Sequence, residues 1–137
     1  MVHRIDPADR RRILIADDSH DTADSLALLL RSYGHEVRVA YNGASALEHA
    51  SAWQPDVVIL DIGMPRTDGY EVCRQIRSAP WGAAMLLIAH TGWGKDSDRR
   101  RAEEAGFDWH FVKPVDWAEH RALLSSRAPR AAPNDAS

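Results

Sequence analysis

Short apolar runs alternate with helical stripes along the chain. This alternation is typical of an α/β fold whose strands form a parallel sheet. Five strand candidates follow one another, at residues 12–16, 36–40, 57–60, 85–89 and 110–112. The first, third and fourth are the most continuously apolar, as expected of central strands covered on both faces.

Each segment that follows a predicted strand has the pattern of a helix. The first is the clearest, because its apolar residues recur at the spacing of one helix face (Ala23, Leu26, Ala27 and Leu30). Asn42 can cap the second helix, which must end before Pro55. The third is predicted to end near Pro80, and two more helices are predicted over residues 96–105 and about 116–126.

Length and composition indicate one globular domain. The chain has 137 residues, of which 45% are hydrophobic and 27% charged. We predict an N-terminal extension at 1–10, a domain at 11–126 and a disordered tail at 127–137, where periodicity is lost. On this interpretation the chain has no room for a separate output domain.

The composition of the chain limits where the protein can act and what it can bind. Cys73 is the only cysteine and cannot form an internal disulfide, which favours a reducing compartment. No apolar run approaches the roughly 18 residues of a membrane-spanning helix, and the start has no apolar signal core. We therefore expect a cytoplasmic protein without membrane association. The net charge of −3 gives no bulk attraction to nucleic acid, so we expect no direct DNA binding.

Reactive side chains directly follow the predicted strands. Asp17 and Asp18 come after the first strand, Asp61 after the third, Thr91 soon after the fourth and Lys113 after the fifth. Because the carboxyl ends of parallel strands meet at one edge, these residues are predicted to form a single site. Carboxylates that lie together need a cation, and oxygen-only ligands favour Mg²⁺. A carboxylate nucleophile, a metal, a lysine and a hydroxyl are the parts that phosphoryl transfer requires.

Four motifs together resemble those of response regulator receiver domains. They are Ile15-Ala16-Asp17-Asp18-Ser19, Leu60-Asp61-Ile62-Gly63-Met64-Pro65 with Asp68-Gly69, Thr91-Gly92, and Phe111-Val112-Lys113-Pro114. They occur in the family's order and approximate spacing, over about residues 11–125. The resemblance implies a flavodoxin-like fold, a doubly wound five-stranded parallel sheet in the order 2-1-3-4-5 flanked by five helices.

The resemblance also implies a role for each acidic residue. Asp61 would be the phosphoacceptor, attacking a phosphohistidine of a sensor histidine kinase or a histidine phosphotransfer protein. Asp18 would bind Mg²⁺ directly and Asp17 would help through water. Asp61 and the main-chain carbonyl of Gly63 would complete the protein's ligands.

Three further residues would respond to the phosphoryl group. Lys113 would pair with its oxygens, and Thr91 would hydrogen-bond one of them and move toward it on activation. The family usually places Tyr or Phe three residues before the lysine as the switch side chain, and this chain has His110 there. His110 makes the switch pH-sensitive if it titrates, or packs as a buried neutral ring if it does not. The last strand and helices would form the switched protein-interaction surface.

These implications predict a signalling receiver and not an enzyme, acting as a single-domain regulator or phosphorelay shuttle with an unidentified downstream target. One alternative is the receiver portion of a hybrid sensor kinase. Another is a Mg²⁺-dependent phosphatase with an aspartyl-phosphate intermediate. Such a phosphatase generally needs a general acid beside the nucleophile and a cap, whereas Gly63 stands two residues after Asp61 and no cap insertion exists. A third alternative is a receiver-like scaffold that is never phosphorylated.

Overall fold

One parallel sheet forms the centre of the molecule in a computed structural model that describes residues 10–64, 68–92, 96–113 and 117–126. Its strands are β1 (Arg12–Ala16), β2 (Glu36–Ala40), β3 (Val57–Asp61), β4 (Leu86–Thr91) and β5 (Trp109–Val112). They pair in the order β2-β1-β3-β4-β5. Both the fold class and this strand order are as predicted.

Helices cover both faces of the sheet. They are α1 (His20–Ser32), α2 (Gly43–Trp53), α3 (Gly69–Ser78), α4 (Asp96–Ala105) and α5 (Trp117–Ser126), with a 3-10 turn at Pro80–Gly82. Because side chains alternate along a strand, β1 sends Ile13 and Ile15 to the core beneath α1 and α5. It sends Leu14 and Ala16 to the other core, beneath α2, α3 and α4. Within the described residues, none of these helices combines the length and apolarity needed to cross a bilayer.

Local sequence signals account for the helix ends. The Asn42 side chain accepts a hydrogen bond from the Ser45 N–H at 2.8 Å, so the predicted cap of α2 is present. That helix ends at the left-handed residue Gln54 (φ 52°), directly before Pro55. Gly106 follows α4 with φ 114°, a conformation that favours glycine.

The strands differ from the predicted ones mainly at their carboxyl ends. Main-chain pairing continues to Asp61 opposite His90 and to Thr91 opposite Val112, so β3 and β4 end with polar residues. An apolar run cannot reveal that continuation, and the prediction stopped where the run stopped. The predicted tail (127–137) and residues 1–9 of the predicted extension lie outside the described residues.

Three histidines are buried among the residues that the structure describes, His35, His90 and His120. His90 on β4 is 3% exposed, and His120 on α5 is fully buried. Burial, followed by the neighbouring His120 and Lys113, lowers the pKa of His90 from 6.5 to about 3. His90 is therefore neutral in the folded protein at physiological pH.

Folding stability should decrease below neutral pH because of His90. The unfolded chain takes up a proton on this ring near pH 6.5, whereas the folded chain does so only near pH 3. Between these values the unfolded state binds more protons, so stability is lost as the pH falls. We expect a free energy of unfolding roughly 2 kcal/mol lower at about pH 5 than at about pH 7. Urea unfolding of the wild type and of His90→Gln measures this contribution, and equal pH dependence in the two would contradict it.

Candidate functional site

Three carboxylates lie together at the carboxyl edge of the sheet. Asp17 and Asp18 directly follow β1, and Asp61 is the last residue of β3. One oxygen from each carboxylate lies within 4.8 Å of the others. Asp17 and Asp61 are buried, whereas Asp18 is exposed. The structure thus brings the three predicted acidic residues to one place and leaves that place open to solvent on the Asp18 side.

The two buried carboxylates are held in the same way. Asp17 Oδ1 accepts a hydrogen bond from the Ser19 N–H at 3.0 Å, and Asp61 Oδ1 accepts one from the Gly63 N–H at 2.9 Å. The second oxygen of each faces Lys113, whose Nζ lies 3.2 Å from Asp61 Oδ2 and 3.9 Å from Asp17 Oδ2. One oxygen of each carboxylate is therefore fixed by the main chain, and the other is directed at a cation.

The carboxylates are close enough to affect one another. Burial raises the pKa of Asp17 above its ordinary value of 3.8; the Ser19 N–H opposes this effect and the charge of Asp61 adds to it. Lys113 opposes the rise as well, but one ammonium cannot neutralise three carboxylates. The site therefore gains from a further cation, and its oxygen-only ligands suit a hard ion such as Mg²⁺.

Lys113 and Thr91 are joined through the main chain. Lys113 directly follows β5, and its N–H donates to the carbonyl of Thr91, the last residue of β4, at 2.8 Å. The Thr91 side chain is buried at 2% exposure, whereas that of Lys113 is partly exposed. Both residues therefore lie at the edge that carries the carboxylates, as the sequence predicts.

His110 lies on the flank of the sheet. It is half-buried on β5 and lines a cavity of about 360 Å³ between α4 and this strand. Trp109, its neighbour on β5, is 49% exposed and borders the same cavity. The structure therefore associates His110 with the surface formed by α4 and β5.

Sequence reasoning did not identify the two main-chain donors, although a signal for both was present. In each case an Asp side chain accepts from the N–H two residues later, Asp17 from Ser19 and Asp61 from Gly63. Asp commonly forms such local turns, and Ser and Gly are typical turn residues. The repeated pattern after two strands could have predicted how the carboxylates are oriented.

Comparison with known proteins assigns the chain to a family. The sequence model of the response regulator receiver domain matches residues 13–125. Response regulator MprA of Mycobacterium bovis is 36% identical over 125 residues, covering 91% of this chain and 54% of MprA. An uncharacterized 14.6 kDa protein of Leptolyngbya boryana is 36% identical over 104 residues, covering 76% of this chain and 79% of that protein. The chain thus spans about half the length of its MprA relatives.

Solved structures agree with this assignment. The signal receiver domain of a DNA binding response regulator (merR) from Colwellia psychrerythraea is 31% identical, with a TM-score of 0.78 and coverage of 82% of this chain and 94% of that one. The receiver domain of a sensor histidine kinase from Pseudomonas aeruginosa is 29% identical, with a TM-score of 0.76 and coverage of 84% and 94%. That domain was solved with a magnesium ion coordinated in its active site cleft. The fold, the three carboxylates at the edge of the sheet and these matches together show that the chain belongs to the response regulator receiver domain family.

Proposed function

We propose that Asp61 accepts a phosphoryl group from a phosphohistidine and that this modification switches a protein-interaction surface. The observation that carries the proposal is the pairing of Asp61 Oδ2 with Lys113 Nζ at 3.2 Å inside a cluster of three carboxylates. A nucleophilic oxygen and a cation for the transferred group are thereby placed side by side. The proposed domain spans residues 11–126 and acts in the cytoplasm.

In the proposed reaction Asp61 Oδ2 attacks the phosphorus atom of a phosphohistidine on a sensor histidine kinase or a histidine phosphotransfer protein. A P–O bond forms to Asp61 while the P–N bond to the imidazole breaks, and the imidazole keeps the electron pair and takes up a proton. The Gly63 N–H holds Oδ1 at 2.9 Å, which leaves Oδ2 for the attack. Lys113 then transfers its pairing from the carboxylate to the phosphoryl oxygens.

The acidic residues suit Mg²⁺ as the cofactor. Asp18 would bind it directly and Asp17 through water, with Asp61 and the main-chain carbonyl of Gly63 as further ligands. When bound, the ion would offset the repulsion between these negatively charged carboxylates and the phosphoryl oxygens. The exposed Asp18 lies where an incoming ion or phosphoryl group can reach it.

Thr91 and His110 would carry the signal outward. The Thr91 hydroxyl would hydrogen-bond a phosphoryl oxygen, and the residue would shift toward the site. His110 lines the cavity between α4 and β5, so a change in its position alters the shape of that surface. The proposed receiver then acts as a single-domain regulator or phosphorelay shuttle through a protein partner.

Mg²⁺ should stabilise the folded protein. A ligand that binds only the folded state at about ten times its Kd raises the free energy of unfolding by about 1.4 kcal/mol. Asp18→Asn should remove this effect without harming the fold, because the Asp18 side chain is exposed. Chemical unfolding with MgCl₂, and with NaCl at equal ionic strength, gives the comparison. Equal stabilisation of the wild type and Asp18→Asn by MgCl₂ would exclude Asp18 as a ligand.

Phosphate release distinguishes the proposed receiver from an aspartyl-phosphate phosphatase. A phosphatase needs a proton donor for the leaving group. Gly63, two residues after Asp61, has only its main-chain N–H, and this N–H already donates a hydrogen bond to Asp61 Oδ1. We expect uptake of a single phosphoryl group from an acyl phosphate and no sustained phosphate release from an alkyl phosphate such as glycerol 2-phosphate, whose alkoxide must be protonated as it leaves, above that of Asp61→Asn. Continuous release of phosphate from the alkyl phosphate that depends on Asp61 would support the phosphatase instead.

A further inference from the structure

Two of the buried histidines, His90 and His120, form a direct hydrogen bond between the sheet and α5. The Nε2 atoms of His90 and His120 lie 2.7 Å apart. One ring must therefore carry its proton on Nε2 and donate, while the other accepts with its lone pair. The ring of Phe111 stacks on His120 with centroids 3.9 Å apart and meets His90 edge-on at 6.3 Å. These contacts fix the orientation of both imidazoles.

The main chain of His90 also forms a hydrogen bond with the segment that carries Asp61, the proposed phosphoacceptor. The carbonyl of His90 accepts a hydrogen bond from the Ile62 N–H at 3.0 Å, within the turn that joins Asp61 to Gly63. The carbonyl of the next residue, Thr91, accepts from the Lys113 N–H at 2.8 Å. Hydrogen bonds, together with the covalent main chain of His90 and Thr91, therefore link α5 through the two rings to the segments that carry Asp61 and Lys113.

Stability alone does not explain a histidine pair at this place. The surrounding core is apolar and includes Ile88, Phe111 and Leu124. Leucine would fill such a site without the cost of removing two polar rings from water, whereas a fully paired polar contact specifies one arrangement. A bond that is formed in one arrangement of the fold and weakened in another can couple two sites, and that coupling acts equally in both directions.

We infer that the His90–His120 hydrogen bond links α5 to the phosphoryl-acceptor site, the site that contains Asp61 and Lys113. The position of α5 and the affinity of that site for a phosphoryl group therefore depend on each other. This inference rests on the proposed function. In the structure the bond is formed while Lys113 is already paired with Asp61. Loss of the bond should therefore loosen an organised site and weaken binding of a phosphoryl group.

The test measures the Kd of beryllofluoride, a mimic of the phosphoryl group, in the presence of Mg²⁺ by titration calorimetry. We expect His120→Leu and His90→Leu each to weaken binding by at least about fivefold, the lower range of known couplings between sites. The double variant should bind beryllofluoride no more weakly than either single variant, because the same hydrogen bond is lost in all three. His120→Gln keeps a donor and an acceptor and should restore most of the affinity.

Leu124→Ala is the matched control for stability. Leu124 is buried on α5 in the same core, so its truncation should lower the melting temperature without changing the Kd. If the Leu variants of the histidines behave like Leu124→Ala, the pair is merely structural and the inference is wrong. If wild-type binding is absent or does not depend on Asp61, the proposed function fails and the inference fails with it.

A measurement on the wild type covers the case in which the Leu variants do not fold. The ring signals of His90 and His120 in NMR spectra report tautomer and hydrogen bonding. We expect them to shift when beryllofluoride is added to the wild type and to stay unchanged in Asp61→Asn. Unchanged ring signals in a wild type that binds the mimic would overturn the inference.

Discussion

Replacement of Arg77 by alanine is expected to lower the free energy of unfolding by about 1–3 kcal/mol. The Arg77 side chain is only 19% exposed, and its guanidinium forms a salt bridge with Asp108 at 2.6 Å. It also donates to four main-chain carbonyls, those of Gly82, Ala83, Met85 and Gly106. The substitution removes one donor from each of these carbonyls and from the Asp108 carboxylate, which keeps its hydrogen bond from the Leu87 N–H. The loss falls in the region where α3, β4 and the end of α4 meet.

Arg74 provides a control on the same helix. It is 50% exposed and pairs with Glu71 at 3.1 Å, so Arg74→Ala should cost less than about 0.5 kcal/mol. Arg77→Lys should recover little, because an ammonium cannot reproduce the fork of donors. Urea unfolding of the three variants gives the comparison. A loss for Arg77→Ala as small as that for Arg74→Ala would show that these contacts contribute nothing measurable.

Replacement of Lys113 by alanine is expected to slow phosphoryl uptake by at least about 100-fold, as the removal of one charge-stabilising donor does in enzyme active sites. Lys113 Nζ contacts Asp61 Oδ2 at 3.2 Å and is the cation beside the proposed nucleophile. Without Lys113, less positive charge would offset the repulsion between the transferred phosphoryl group and the carboxylates. The rate is read from the intact mass of the protein over time in acetyl phosphate and Mg²⁺.

Lys113→Arg distinguishes charge from shape. Arginine keeps the positive charge but replaces a compact ammonium with a planar, wider group, so we expect an intermediate rate. Circular dichroism establishes that each variant is folded before its rate is compared. Uptake by Lys113→Ala at the wild-type rate would remove Lys113 from the proposed mechanism.

Local patterns were sufficient to predict the elements and the gathering of the site residues. All five strands were placed within two residues of their observed bounds. The three central strands were the clearest, because buried parallel strands are continuously apolar. The rule that strand ends converge was enough to place Asp17 and Asp61 together. The strand order, by contrast, came from the family resemblance, since periodicity says which segments are strands and not which of them are neighbours.

Contacts between distant parts of the chain could not be predicted. Arg77 meets Asp108, 31 residues later, and nothing near either residue indicates the pairing. His90 and His120 are 30 residues apart. In isolation His90 is a single polar residue after an apolar run, and His120 lies between Glu119 and Arg121 as one of three polar residues in a row. Such pairs depend on how the packed elements face one another, which appears only once the sheet and its helices are in place.

The measurement that tests the central claim most directly is the intact mass of the protein after incubation with Mg²⁺ and acetyl phosphate. The proposed chemistry predicts a gain of one phosphoryl group in the wild type and none in Asp61→Asn or without Mg²⁺. A phosphohistidine-bearing transfer protein serves as the second donor, because a receiver can be restricted to its own kinase. A gain of mass that persists in Asp61→Asn, or no gain from either donor, would contradict the assignment of Asp61 as the phosphoacceptor.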